Sequence, residues 1–324
     1  MNSIDALESD IKLQISQISK IKKNSKTVKA NIDNSIFVGT GDSYVSAYLT
    51  QYISNFRTFA LDPYEIIMNP YITKNKDIYF ISVSGSTSGN IKASKIARTH
   101  CNKTIAVTAN PKSELALNCD EIIHLDYHDS STTTSGTISF LFSTLTCTLL
   151  IKPNTPLSDI SNLFSHSNQS ANNIIKKQLY ATNLSNEIEI HSSIFLGNLF
   201  LYPLAIYASL KIYEIFGMKS YAYSLENFCH APIFNINKND LLFNFKSILT
   251  SSRKDLQLIN FLNKNGYHIY QININSKSDI NIIIETIFFI QLYMLKLAKL
   301  KNIKECYFLN KKDLLDISSK LIYS

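Results

Sequence analysis

The run Ser35-Ile36-Phe37-Val38-Gly39 returns in the second half of the chain as Ser193-Ile194-Phe195-Leu196-Gly197. In both places an apolar, β-branched run stops at glycine and gives way to apolar residues spaced three and four apart, which predicts a strand followed by a helix. A second strand–helix–strand series follows each copy. In the first half it is a strand from Asp77 to Val83, a helix from Gly89 to His100 and a strand from Thr104 to Thr108. In the second half it is Asp240 to Phe245, Lys254 to Asn265 and His268 to Ile274. Strands alternating with helices require crossover connections, hence parallel sheets with helices on both faces. The expectation is an α/β chain of two tandem, doubly wound parallel-sheet domains that arose by duplication.

The 324 residues suffice for two such domains, and a 45% hydrophobic content supplies their cores. An amphipathic helix is expected over residues 1–30, with a basic connector at residues 20–29. The domains are expected at 31–165 and 166–324, joined through the Ser/Asn-rich stretch Leu157 to Ala171 that follows Pro153 and Pro156. Ile138 to Ile151 is too short and too rich in Ser/Thr for a membrane span. Ile282 to Leu300 carries Glu285, Gln291, Lys296 and Lys299, so both read as buried helices. Five scattered cysteines without a C-x-x-C pair are the usage of a reducing compartment, and Met1 to Asp5 opens no signal peptide; a cytoplasmic location is expected. The net charge of +7 is spread along the chain and by itself suits a small anionic substrate about as well as nucleic acid; the partner expected is a small molecule, with neither nucleic acid nor a membrane.

Ser82-Val83-Ser84-Gly85-Ser86-Thr87 joins the strand at Asp77 to the next helix, and Gly39-Thr40-Gly41-Asp42-Ser43 leaves the neighbouring strand in the same way. Glycine lets the backbone approach phosphate oxygens, first-turn N–H groups point at them, and hydroxyls add neutral donors. An ordinary N-cap needs one such residue, and this loop carries four hydroxyls around one glycine. The spacing is neither that of a P-loop nor G-x-G-x-x-G. Farther on, Tyr202 to Met218 reads as a helix with Tyr207, Lys211 and Glu214 on one face. Taken alone, Lys211 and Glu214 are better explained by a surface ion pair, and His230 in the turn-like segment Glu226 to Pro232 by a structural histidine.

These loops resemble the SIS (sugar isomerase) family, and within it the isomerase half of glucosamine-6-phosphate synthase. Ser82-Val83-Ser84-Gly85-Ser86-Thr87 is similar to the family's S-x-S-G-x-T motif. The resemblance implies SIS-type domains that bind a hexose 6-phosphate or amino-sugar phosphate. Its sugar and phosphate contacts would be Gly41, Ser43, Ser82, Ser84, Gly85, Ser86 and Thr87, with Ser131 and Thr132 in another sugar-contacting loop. It further implies Glu214 as the carrier of a proton between C1 and C2, Lys211 beside it, and His230 as the ring-opening group, donated by a neighbouring subunit and hence implying a homodimer. The tail Ile317 to Ser324 resembles a segment whose lysine, here Lys320, forms a Schiff base, although a solvated tail lysine reads equally well. Val83 and Ser86 depart from the family's Gln and Glu, and Tyr207 and Asn227 from its Glu. No cofactor and no metal is implied. The expected activity is a phosphosugar isomerase or deaminase, against a plain aldose–ketose isomerase or a non-catalytic phosphosugar sensor.

Overall fold

The structure, a computed structural model, describes residues 1–25, 30–157, 159–181 and 192–324. Two compact units divide them. One comprises Lys12–Ser131, Gly136–Pro156 and Lys311–Ser324 and carries a five-stranded sheet; the other comprises Met1–Ile11, Thr132–Ser135 and Leu157–Asn310 and carries a four-stranded sheet.

The chain begins with helix α1 (Ser3–Ser25), then runs β1 (Ser35–Val38), α2 (Asp42–Ile53), β2 (Phe59–Leu61), α3 (Pro63–Met68), β3 (Asp77–Ile81), α4 (Ser88–Ala97), β4 (Lys103–Thr108), α5 (Glu114–Asn118), β5 (Glu121–His124) and α6 (Ile138–Ile151). Helix α7 (Ile160–Ala181) leads to β6 (Ser192–Leu196), α8 (Leu201–Phe216), β7 (Lys219–Tyr223), α9 (Leu225–His230), β8 (Leu241–Ser247), α10 (Arg253–Lys264), β9 (His268–Ile274), α11 (Asp279–Leu300) and α12 (Lys312–Tyr323). The sheets are parallel throughout, in the orders β2-β1-β3-β4-β5 and β7-β6-β8-β9. The two orders correspond strand for strand, with β5 the extra member of the first sheet.

The repeated pentapeptide does the same packing work in both sheets. Phe37 on β1 lies in register with Tyr79 on β3, the rings stacked at 4.6 Å with planes 13° apart. Phe195 on β6 is in register with Phe243 on β8, stacked at 4.8 Å and again 13°. Alternate residues fill the opposite faces: Ile36, Val38, Ile78 and Phe80 in one core, Ile194, Leu196 and Leu242 in the other. Strands buried on both faces read as continuous apolar runs, which is why these were visible in the sequence. Edge strands β2, β5 and β7 were not, because they are largely exposed and so carry little apolar patterning.

Three expectations need correction. The proposed linker is helix for most of its length. Leu163, Ser167, Ala171 and Ile174 form one buried stripe of α7, and the Ser167 hydroxyl donates to the Glu285 carbonyl on α11 at 2.9 Å. Its Ser/Asn content lies largely on the solvent side, so composition suggested a loop where spacing describes an amphipathic helix. The tail, expected with the second domain, belongs to the five-stranded unit. The segment Glu226 to Pro232 is not a simple turn: α9 is capped by Ser224, whose hydroxyl accepts from the Asn227 N–H, and ends at His230. Within the basic connector at 20–29, residues 26–29 lie outside the described residues. Helices α6 and α11 are buried along nearly their whole length, as their apolar composition predicts. Helix α11 is long and apolar enough to cross a membrane, but 94% of that stretch is packed inside the protein, as in a core helix.

Candidate functional site

In the five-stranded unit the chain passes from β1 outward to β2, then returns to place β3 on the other side of β1. Open parallel sheets bind ligands at such a reversal point, outside the carboxyl ends of the strands. The loops 39–43 and 82–87 leave there from adjacent strands, β1 and β3, with Val38 in register with Phe80. Gly41 adopts φ +54° ahead of α2.

The second loop is tightly built. Its Gly85 has φ +67°, and a Cβ there would stand 2.0 Å from the Ser113 hydroxyl oxygen. The Gly85 N–H donates to Ser82 Oγ at 3.1 Å, and its carbonyl accepts from the Leu115 N–H at 3.1 Å. Buried Ser82 shares a 3.1 Å hydrogen bond with Thr87, while the Ser86 hydroxyl donates to Ser84 at 2.8 Å on the exposed rim. Thr87 is the N-cap of α4, yet its side chain does not cap the helix. The hydroxyls therefore do not serve as ordinary caps, and the first-turn N–H groups of α4 remain directed at the loop.

The corresponding loop in the four-stranded unit is closed. Ser247 and Thr250 share a 3.0 Å hydrogen bond much as Ser82 and Thr87 do. At the start of α10, however, the buried Asp255 carboxylate accepts from the Ser252 N–H at 2.6 Å and its hydroxyl at 2.8 Å, and from Asn244 at 3.0 Å. A carboxylate at that helix end occupies the favourable pole of the dipole and repels a phosphate.

Helix α8 carries the other predicted residues. Lys211 is 2% exposed, its ammonium 2.7 Å from Glu214 Oε2 and 5.0 Å from the centre of the Tyr207 ring. The Tyr207 hydroxyl accepts from Gln291 of α11 at 3.1 Å. This is not the surface ion pair that spacing alone allowed. A buried ammonium costs several kcal/mol unless paired, and here a carboxylate and an aromatic face meet it. Ser135, which the sequence reading passed over at the end of its hydroxyl run, donates to the same Oε2 at 2.5 Å. No motif marked it; only the fold brings residues 79 positions apart together.

The other candidates make contacts of their own. His230 ends α9 three-quarters exposed, its Nε2 3.5 Å from Glu226 Oε1. Lys254 hydrogen-bonds Glu226 and, with His230, holds that carboxyl below its usual range, keeping it ionised beside the imidazole. Lys320 is exposed on α12 and paired with Asp316 at 2.6 Å. Ser131 has φ +56° and donates its N–H to Asp129 at 2.9 Å; it falls in the five-stranded unit and Thr132 in the four-stranded unit.

Residues 30–152, which contain the loops 39–43 and 82–87, match the SIS domain family. Over 223 residues the chain is 26% identical to the isomerizing glutamine–fructose-6-phosphate aminotransferase of Chlamydia pneumoniae, covering 62% of this chain and 35% of that protein. It thus spans about a third of the length of that curated relative. Among solved structures it shares the fold of glucosamine-6-phosphate deaminase from Thermotoga maritima, with TM-score 0.70, 19% identity, and coverage of 91% of this chain and 96% of that one. It also shares the fold of tagatose-6-phosphate ketose/aldose isomerase from Escherichia coli, with TM-score 0.65, 17% identity, and coverage of 91% and 90%. The C-terminal domain of glucosamine-fructose-6-phosphate aminotransferase from Francisella tularensis aligns with TM-score 0.65 and 16% identity over 93% of this chain and 94% of that one.

Proposed function

We propose that this protein is a phosphosugar isomerase that moves a proton between C1 and C2 of a hexose 6-phosphate. The observation that carries the reading is the Glu214 carboxylate, one-third exposed and fixed by Lys211 and Ser135 through a single oxygen. In the reaction Glu214 takes the proton from the carbon next to the carbonyl. The C–H electron pair becomes the C1–C2 double bond of an enediol as the carbonyl oxygen takes a proton from solvent; Glu214 then returns its proton to the former carbonyl carbon while the hydroxyl on the other carbon gives its proton to solvent and becomes the new carbonyl. The open start of α4 and the hydroxyls of residues 82–87 are assigned to the phosphate, with Gly41 and Ser43 beside them. We read the four-stranded unit as a diverged second SIS-type domain, whose own loop gave up anion binding when Asp255 took the helix end. The second reading, ammonia release from an amino sugar phosphate, draws on the relatives named as an aminotransferase and a deaminase.

Incubation with fructose, tagatose, mannose, glucose and glucosamine 6-phosphates decides between them, with ketose, aldose and ammonia assayed. Interconversion of an aldose and a ketose without ammonia is expected. Ammonia from the amino sugar alone would select the second reading, and no turnover of any substrate would remove both.

His230 is assigned the ring-opening role toward a second copy of the chain, as its exposure allows. Individually inactive Glu214→Gln and His230→Gln proteins, mixed in equal amounts and allowed to exchange subunits, should then recover about one quarter of wild-type activity, because half of the dimers are mixed and each holds one intact site. Mixtures as inactive as their parents would exclude a shared site.

A further inference from the structure

Both donors to Glu214 fall on one oxygen. Ser135 Oγ and Lys211 Nζ reach Oε2 at 2.5 and 2.7 Å, and among the described residues no donor reaches Oε1. We propose that Ser135 is a positioning residue, whose hydroxyl holds Oε2 so that Oε1 is the oxygen that exchanges the proton with substrate. The inference rests on the proton-transfer reading above.

Lys211 alone does not settle the orientation. It lies one turn before Glu214 on the same helix, and rotation of a carboxylate about its terminal bond is soft. A second donor arriving from a separate segment fixes both the plane and the identity of the bound oxygen. Facing a carboxylate, the serine hydroxyl can only donate, so it marks Oε2 as the acceptor. An oxygen engaged by an ammonium and a hydroxyl is a weakened base, whereas Oε1 keeps its lone pairs for the C–H proton. When Oε1 is protonated the two donors remain on Oε2, so the carboxylic acid keeps its orientation for the return transfer.

Ser135 has a fixed base to act from. It is buried, and its neighbour Thr134 donates through its hydroxyl to the Ser3 carbonyl at 2.8 Å. The Ser3 hydroxyl in turn accepts from the Cys306 N–H at 2.7 Å, and the Ser3 N–H donates to Glu305 at 3.1 Å. The segment 132–135 is therefore tied to the start of α1 and to the chain near residue 305, all within the four-stranded unit. The same segment begins at Thr132, a predicted sugar contact, so the residues that meet the sugar and the hydroxyl that orients the acid–base group lie on one short stretch of backbone.

The test compares Ser135→Ala and Ser135→Thr with wild type, using whichever hexose 6-phosphate wild type turns over and the same substrate deuterated at the transferred position. Ser135→Ala should lower kcat on the order of 10- to 100-fold, because a misplaced acid–base group loses alignment, while KM stays within about twofold. Its primary deuterium isotope effect should rise as proton transfer becomes rate-limiting, and its melting temperature should stay near that of wild type. Ser135→Thr, which keeps the hydroxyl, should recover most of kcat. A Ser135→Ala protein with unchanged kcat overturns the proposal. So does one in which kcat, KM and melting temperature all fall while the isotope effect stays as in wild type, the pattern of general damage. Glu214→Gln distinguishes the two levels. If it is inactive while Ser135→Ala is normal, only the role of Ser135 fails; if it remains active, the proton-transfer reading fails and takes this inference with it.

Discussion

Glu214→Gln should reduce turnover of the hexose 6-phosphate by roughly 10³-fold, within the span that a positioned acid–base group supplies. Glutamine has nearly the same shape, and its amide oxygen can still accept from Ser135 and Lys211 at the Oε2 position. What it lacks is a carboxylate oxygen that can accept a proton and give it back. Binding of the sugar phosphate, measured by calorimetry, should stay within about threefold of wild type, which separates loss of chemistry from loss of the site. The variant should also melt at a lower temperature, since buried Lys211 loses the carboxylate charge facing it. Turnover within tenfold of wild type would rule out Glu214 as the proton carrier.

Gly85→Ala should be the most damaging single methyl addition in the loop 82–87. The new Cβ would stand 2.0 Å from Ser113 Oγ and 2.4 Å from Ser113 Cβ, in a backbone conformation (φ +67°) that alanine adopts at a cost. Strain and overpacking together suggest a loss of roughly 2–5 kcal/mol, divided between fold stability and distortion of the loop. A lower urea midpoint and at least tenfold weaker sugar phosphate binding are expected. Adding Ser113→Gly removes the two closest contacts and leaves Thr108 Oγ1 at 3.0 Å, and it costs little at the start of α5 because glycine is tolerated as an N-cap. The double variant should therefore regain part of the stability without returning to wild type. Wild-type stability and binding in Gly85→Ala would show that the loop is not held in this conformation in solution.

Much of the five-stranded unit was legible because its information is local. The stop of β1 at Gly39 and of β3 at Ser82, the hydroxyls between Ser82 and Thr87, and the helical spacing after them are properties of short windows. The face of α8 that carries Tyr207, Lys211 and Glu214 was likewise legible, since helical geometry alone puts them together. The depth of that face was not. The same spacing serves a solvated ion pair or a buried one, and packing against Gln291 and its neighbours on α11 makes it buried. The Ser/Asn-rich residues of α7 misled for the opposite reason: composition was averaged where only the stripe Leu163, Ser167, Ala171 and Ile174 mattered.

The order of strands and helices and the glycine- and hydroxyl-rich loops were written in local pattern, because secondary-structure periodicity and turn chemistry act over a few residues. Contacts between distant residues decided the rest. Helix α4 begins uncapped beside Ser82 and Thr87, whereas Asp255 closes α10, although both loops carry hydroxyls. Ser135 meets Glu214 only once the fold joins residues 79 positions apart. The tail joins the five-stranded unit, where Lys320 forms an ion pair with Asp316. A hydroxyl in the sequence has the same donors and acceptors wherever it lies, and whether it caps a helix, faces a ligand or orients a carboxylate depends on which partner the folded chain brings within about 3 Å of it.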